Sequence, residues 1–279
     1  MNTTFDIAST PVGIRMLDDL VSDEFATTRA LTDLSEAELY EYVTRAAVEV
    51  SSEKWSAAPG RSWPWEERVS GTEAKRLARD IVTCAAARWW SAPFAARPQV
   101  WIGREFSAPA DQIVWPGLAG KPPTAIWTSS AVAGLPSAWW AVLKDGADAA
   151  PPEGPQAIWR LTPLADARVF EIRTPADWRW LCEAFPGPAV DGWVTPGWET
   201  ATDEFDGIHL TVEGLIRCQG AEIETQYGLA KLDHWDAEST AWLQWSVASL
   251  ERLGTMTSDR SATPQVRRGR ASPRAPRRS

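Results

Sequence analysis

Apolar residues recur at helical spacing in the first third of the chain. Leu39, Val43, Ala46, Ala47 and Val50 fall on one face of a predicted helix. Asp33 or Ser35 can cap its start, and Glu36 and Glu38 stand in the first turn, where the helix dipole favours acids. The pattern runs out near 51–54, and the Pro/Trp-rich stretch AAPGRSWPWEER reads as a loop. A second helix is predicted from near Thr72, carrying Leu77, Ile81, Cys84, Ala85 and Trp89 and stopping at SAPFAARP. Residues 1–30 are mixed and only weakly periodic.

From Gln99 the texture changes to short apolar runs bounded by Pro or Gly. QVWIGREF, DQIVWPG, TAIWTSS, AIWRLTP, ARVFEIRT and GIHLT read as strands, and SAWWAVLK fits either element. TPADWRWLCEAF reads as a helix with Thr174 as N-cap and Pro175 at its first position. A last helix is predicted from Asp236 or Ser239 to Arg252, with Trp242, Trp245, Ser249 and Arg252 on one side. Many strands without a βαβ rhythm predict an α+β fold with a mixed or antiparallel sheet. The expected organisation is a helical N-terminal region (1–97), an α+β domain (98–255) ending in the last helix, and a disordered basic tail (256–279).

Charge sharpens this division. The 279 residues carry a formal net charge of −9. Residues 258–279 hold seven Arg and one acid, which leaves −15 on residues 1–257. The Pro/Ser/Arg-rich tail is expected to be disordered and suits contact with nucleic acid or another polyanion, while the acidic body repels phosphate backbones. Hydrophobic residues make up 44 %, enough for a core.

The aromatic inventory is unusual, with 18 Trp against 3 Tyr and 7 Phe. Each Trp brings a large apolar surface and an N–H that needs a partner, so some are expected to line a cleft or an interface. Cys84, Cys182 and Cys218 are scattered and odd in number, which points away from a disulfide framework or a zinc site and towards a reducing compartment. His209 and His234 are the only histidines, so no His-rich metal site is expected. MNTTFDIAST has neither a basic start nor an apolar run, and no stretch is long and apolar enough for a membrane span. The sequence therefore reads as cytoplasmic.

Familiar catalytic signatures are missing. There is no GxGxxG, GxxxxGK[ST], GxSxG or HExxH. Chemistry must then rest on carboxylates, Arg, hydroxyls and aromatics. Three places offer these. Arg104 ends QVWIGREF, and a guanidinium there suits a phosphate. Trp127, Thr128, Ser129 and Ser130 close an apolar strand, and their hydroxyls can bind a ligand or orient a carboxylate. Later come Asp206 in FDGIHLT, then Glu222 and Glu224 in CQGAEIETQ beside Gln219, and Glu238 between Trp235 and Trp242. A carboxylate beside aromatic surface can have a raised pKa or stabilise a sugar cation.

In this order, an Arg after an early strand, a strand ending Thr-Ser-Ser and a late Asp-Gly-Ile strand followed by Glu resemble the Arg/Ser/Glu branch of the ADP-ribosyltransferase superfamily over residues 98–250. The resemblance implies an enzyme that cleaves the nicotinamide–ribose bond of NAD and passes ADP-ribose to an unidentified acceptor. It implies Arg104 as phosphate ligand, Thr128, Ser129 and Ser130 as bracing hydroxyls, and Trp127 as a stacking wall for nicotinamide. Glu238, or else Glu222 and Glu224, would be the catalytic carboxylate, with no metal. The hydroxyl triplet departs from the family's Ser-Thr-Ser. Two other readings stand beside this one. The first is a non-enzymatic Trp-rich interaction module with a polyanion-binding tail. The second is a glycosidase using Asp206 with Glu224 or Glu238, which needs the two carboxylates roughly 5–9.5 Å apart.

Overall fold

The computed structural model describes residues 6–22, 33–51, 69, 71–103, 120–122, 124–145 and 154–256. Its class is the expected α+β. A first helix, α1 (Pro11–Ser22), lies in the stretch whose periodicity is weak, and turns Val12, Met16, Leu17 and Leu20 inward. Next is α2 (Glu36–Ser51), whose cap is Ser35. The Ser35 hydroxyl accepts from the Glu38 N–H and the Glu38 carboxylate accepts from the Ser35 N–H, a reciprocal capping box. Then follow α3 (Thr72–Thr83), β1 (Gln99–Gly103), β2 (Ile126–Ser130), α4 (Ala138–Asp145), β3 (Gln156–Pro163) and β4 (Val169–Ile172). The SAWWAVLK stretch is thus helical. Helix α5 (Pro175–Ala184) has Thr174 as its N-cap in a second capping box, with Asp177.

The short helix α6 (Trp198–Ala201) leads to β5 (Gly207–Leu210), α7 (Val212–Cys218), a hairpin of β6 (Glu222–Thr225) and β7 (Gly228–Lys231), β8 (Ser239–Trp242) and β9 (Val247–Met256). Helix α7 sits tightly on β4. A Cβ on Gly214 would stand 2.1 Å from the Ile172 carbonyl oxygen, so only glycine fits there.

Among the described residues, seven strands form one mixed sheet in the order β4-β5-β8-β2-β1-β3-β9, and β6 and β7 form a separate ribbon. The β4–β5 pair is parallel and the other pairs are antiparallel. One face of the sheet carries Ile172, Ile208, Leu210 and Ala241 into an apolar cluster with α1, α2, α5 and α7. This cluster runs from Ile7 to Ala241 and crosses the expected 97/98 boundary without a break.

The predicted last helix is overturned, since residues 239–242 and 247–256 are strands. All four residues of β8 are buried between β2 and β5, so no alternation betrays a strand. In β9, the helix-favouring Leu, Glu and Arg are overruled by pairing with β3 along the strand's length. DQIVWPG, Arg104 and the tail from 257 lie outside the described residues.

Candidate functional site: a polar row under a tryptophan-lined cleft

The second face of the sheet carries a largely buried row of polar residues among Ile126, Leu161 and Trp242. Register and alternation put Glu171 (β4), His209 (β5), Thr240 (β8), Thr128 and Ser130 (β2) and Gln99 (β1) in one row across five neighbouring strands. Side chains link along it. The Trp242 indole N–H donates to Thr128 Oγ1 (3.0 Å), and Thr128 Oγ1 donates to Gln99 Oε1 (2.8 Å). Thr240 Oγ1 donates to the same Gln99 oxygen (3.0 Å), and Gln99 Nε2 donates to Ser130 Oγ (3.2 Å). Phe94, in the segment before β1, lays its ring edgewise on His209 and Trp242, and its N–H donates to Glu171 Oε1 (2.9 Å).

Glu238 ends this row. It is 2 % exposed. The Ser130 hydroxyl donates to its Oε1 at 2.7 Å and the Ser130 N–H to its Oε2 at 2.9 Å. His209 Nε2 stands 3.6 Å from Oε1. Burial pushes the Glu238 carboxyl up to about 7, against the opposing pull of the two Ser130 hydrogen bonds and the Arg97 charge. Burial and the Arg173 charge push His209 down to about 3, against the pull of a hydrogen bond to the Ser239 backbone, so its ring is neutral at pH 7.

The loop between β7 and β8 delivers Glu238. It is wound by two non-glycine residues with positive φ, His234 (59°) and Asp236 (62°). Gln219 pins it. The Gln219 side chain accepts from the N–H groups of Trp235 and Asp236 and donates to the Ala47 carbonyl of α2 (2.7 Å). The Glu238 N–H donates to the buried Tyr40 hydroxyl (2.8 Å). Buried Lys231 and Asp233 pair at 3.0 Å at the loop's start.

A cleft opens onto the row, lined by Trp89, Trp90, Arg97, Ser130, His209 and Glu238, among others. It has room for a single water. Arg97 spans its rim. Its guanidinium covers the Trp89 ring (4.7 Å), pairs with Glu36 (2.9 Å) and donates to the Ala131 carbonyl (2.9 Å). The buried indole N–H groups of Trp89 and Trp90 have no hydrogen-bond partner among the described residues.

The residues singled out in the sequence divide three ways. Thr128, Ser130 and Glu238 come together in the row. Trp127 and Ser129 point to the other face of β2. There Trp127 meets Trp235 edgewise at 4.9 Å, with the Lys121 ammonium 5.3 Å from its ring, and Ser129 Oγ accepts from the Trp139 N–H at 2.9 Å in the first turn of α4. The remaining acids stand elsewhere. Asp206 accepts from the Arg168 N–H (2.7 Å), and its own carbonyl takes the N–H groups of Leu243 and Gln244, so it fastens the entry to β5. Glu222 and Glu224 are exposed on the separate β6–β7 ribbon and do not line the cleft.

Sequence reasoning passed over Gln99, Tyr40, Thr240, Trp90 and Arg97, and gave His209 no role. The only local signal was polar residues at alternate positions of otherwise apolar strands, as at Gln99, Thr128, Ser130, His209 and Thr240. The chain matches no family model, no curated protein and no solved structure. Fold and site together therefore define only a class, an α+β protein with a carboxyl–imidazole pair beneath a tryptophan-lined cleft. Cys84, Cys182 and Cys218 are free thiols, and burial raises the Cys182 pKa to about 12. No helix among the described residues is long and apolar enough to cross a membrane.

Proposed function

We propose that the chain is an enzyme acting on a small polar ligand through Glu238. The observation that carries this is the double hold of Ser130 on a buried carboxyl at the floor of a cleft. Two of the tryptophans that line the cleft, Trp89 and Trp90, also carry buried indole N–H groups with no partner among the described residues. A natural fold rarely leaves such donors unpaired, and a ligand with acceptor atoms would satisfy them. Arg97 at the rim adds a planar cation for an anionic group. A raised carboxyl pKa beside a neutral imidazole is the usual setting of proton-transfer catalysis.

ADP-ribosyl transfer from NAD is the specific form of this reading that the sequence resemblance suggests. It is supported by the contact between the hydroxyl-bearing strand and the late Glu. It draws nothing from Trp127 or Ser129, which face away, and a dinucleotide requires the segment 89–97 to move aside. Incubation of the full chain with NAD tests it. Nicotinamide release that falls at least a hundredfold in Glu238→Gln, and is unchanged in Glu224→Gln, supports the reading. No release by the wild type removes NAD as substrate.

A second reading, a binding module, draws on a different surface. Trp180 is 46 % exposed and stacks on Phe170 at 5.0 Å, with Phe185 and Phe205 beside it. Such a patch suits a partner protein. The Arg-rich segment 258–279 would add polyanion contact, and its deletion should then flatten the salt dependence of nucleic-acid binding.

A further inference from the structure

The hydrogen bonds of the polar row run in one direction only, and that direction fixes where a proton sits. An indole N–H can only donate. Trp242 donates to Thr128 Oγ1, so the Thr128 hydroxyl hydrogen turns to Gln99, and the Gln99 atom that receives it is the oxygen. Thr240 gives its hydrogen to that same oxygen and has only lone pairs left for His209 Nδ1, 3.0 Å away. His209 Nδ1 therefore carries hydrogen, and the neutral ring presents a bare lone pair at Nε2. The other Gln99 atom is the NH₂, which donates to Ser130 Oγ and sends the Ser130 hydrogen to Glu238 Oε1. Oε1 and Nε2, both acceptors, then face each other at 3.6 Å in a buried site. Two lone pairs so placed repel unless a proton lies between them.

We propose that Glu238 is held as the neutral carboxylic acid, its hydrogen on Oε1 directed at His209 Nε2, and that Gln99 and Thr240 are the positioning residues that enforce this by fixing the histidine tautomer. This rests on the reading of Glu238 as the reacting group and makes it a general acid. The ligand class follows, a molecule with a basic oxygen or nitrogen that is neutralised or expelled when protonated. In the transfer the Oε1–H hydrogen turns from Nε2 to the ligand's lone pair, the Oε1–H bond breaks towards that lone pair and its electrons stay on Oε1. Water at the cleft mouth returns the proton. An acid in this form does not stabilise a sugar cation as an ionised carboxylate does, so the inference separates proton donation from ADP-ribosyl transfer.

Among the described residues, few charged or titratable groups surround the pair. Arg97 approaches from the cleft rim, with Glu36 behind it. Glu171 on β4 is bound to Arg173 and to the Phe94 N–H. The Tyr40 hydroxyl meets the Glu238 backbone, and its proton is held far above the usual range by burial.

Nitrogen-15 NMR of the full chain labelled at histidine tests this without any ligand. The chain has two histidines, and His234→Asn leaves one signal set, Asn being tolerant of the positive φ there. The expected result is a protonated-type Nδ1 and an unprotonated-type Nε2 for His209 at pH 5 to 6, below the range in which Glu238 gives up its proton. Thr240→Val, which removes the acceptor for Nδ1–H, should convert this to a mixture of tautomers or to Nε2–H, and Thr240→Ser should restore the wild-type pattern. An Nε2–H tautomer or an imidazolium in the wild type overturns the proposal, as does a Thr240→Val spectrum identical to wild type. If the tautomer is wrong while Glu238→Gln still abolishes turnover, the acid assignment falls and the enzyme reading stands. If the tautomer is right and no turnover is found, the reverse holds.

Discussion

Ser130 holds Glu238 twice, hydroxyl to Oε1 at 2.7 Å and backbone N–H to Oε2 at 2.9 Å, joining residues 108 positions apart. Only the first bond is open to mutation. Ser130→Ala should cost about 1–3 kcal/mol of folding stability, because a buried acceptor loses its donor. It should also raise the Glu238 pKa further, since that hydrogen bond favours the charged form. Denaturant titrations at pH 5 and pH 8 check both, with the larger loss expected at pH 8.

Glu238 and His209 leave opposite marks on the pH dependence of stability. Glu238 rises from 4.5 to about 7 on folding, so between these values the native state binds more protons than the unfolded chain. Stability then falls as pH rises through that window, by about 3 kcal/mol in all. His209 falls from 6.5 to about 3, so the unfolded chain binds more protons there and stability rises with pH. Where the windows overlap the slopes offset each other. Glu238→Gln should remove the falling limb and gain on wild type from pH 5 to 8. His209→Gln should remove the rising limb and gain on wild type as pH drops from 6.5. Chemical unfolding at half-unit pH steps resolves the two.

The two cleft tryptophans should respond differently from Trp242. Trp90→Phe shrinks a buried ring but takes away a donor that has no partner. Trp242→Phe takes away the donor that serves Thr128. The second substitution should be the more costly by about 1 kcal/mol, read from denaturation midpoints at constant slope.

Gln219 and the neighbouring acids offer a contrast within one stretch of sequence. Gln219→Leu should cost about 3–5 kcal/mol, because two buried N–H groups and the Ala47 carbonyl lose their partner together. Glu222→Gln and Glu224→Gln, on the exposed ribbon, should stay within about 0.5 kcal/mol of wild type. Thermal melts of the three variants settle the comparison.

The sequence carried the helices with clear caps, such as those behind Ser35 and Thr174, because capping is a local interaction. It carried β2 and β5 as well, as short apolar runs between breakers. It hid α1 and the two C-terminal strands. In β8, burial on both faces erases the alternation that marks a strand, and in β9 the partner strand outweighs helix-favouring side chains. The site was legible in part. Ser130 and Glu238 stood out for their chemistry, yet only the flanking Trp235 and Trp242 set Glu238 apart from Glu224. That choice is made by the positive-φ loop and by Gln219, neither of which has a signature in the linear chain. Trp127 and Ser129 were grouped with Thr128 and Ser130 although strand alternation sends them to the opposite face.

The partners of Glu238 come from the whole length of the polypeptide, with Tyr40 198 positions away and the Gln219–Ala47 clamp spanning 172. A ribosome releasing this chain from its N-terminus delivers Ser130 and His209 before Glu238, but β8, the strand that lies between theirs, emerges only after the carboxyl. A fragment cut short before residue 238 lacks the strand that joins β5 to β2, so the polar row cannot close in it. Activity would appear as a late, all-or-none event on refolding, lagging behind the burial of the tryptophans.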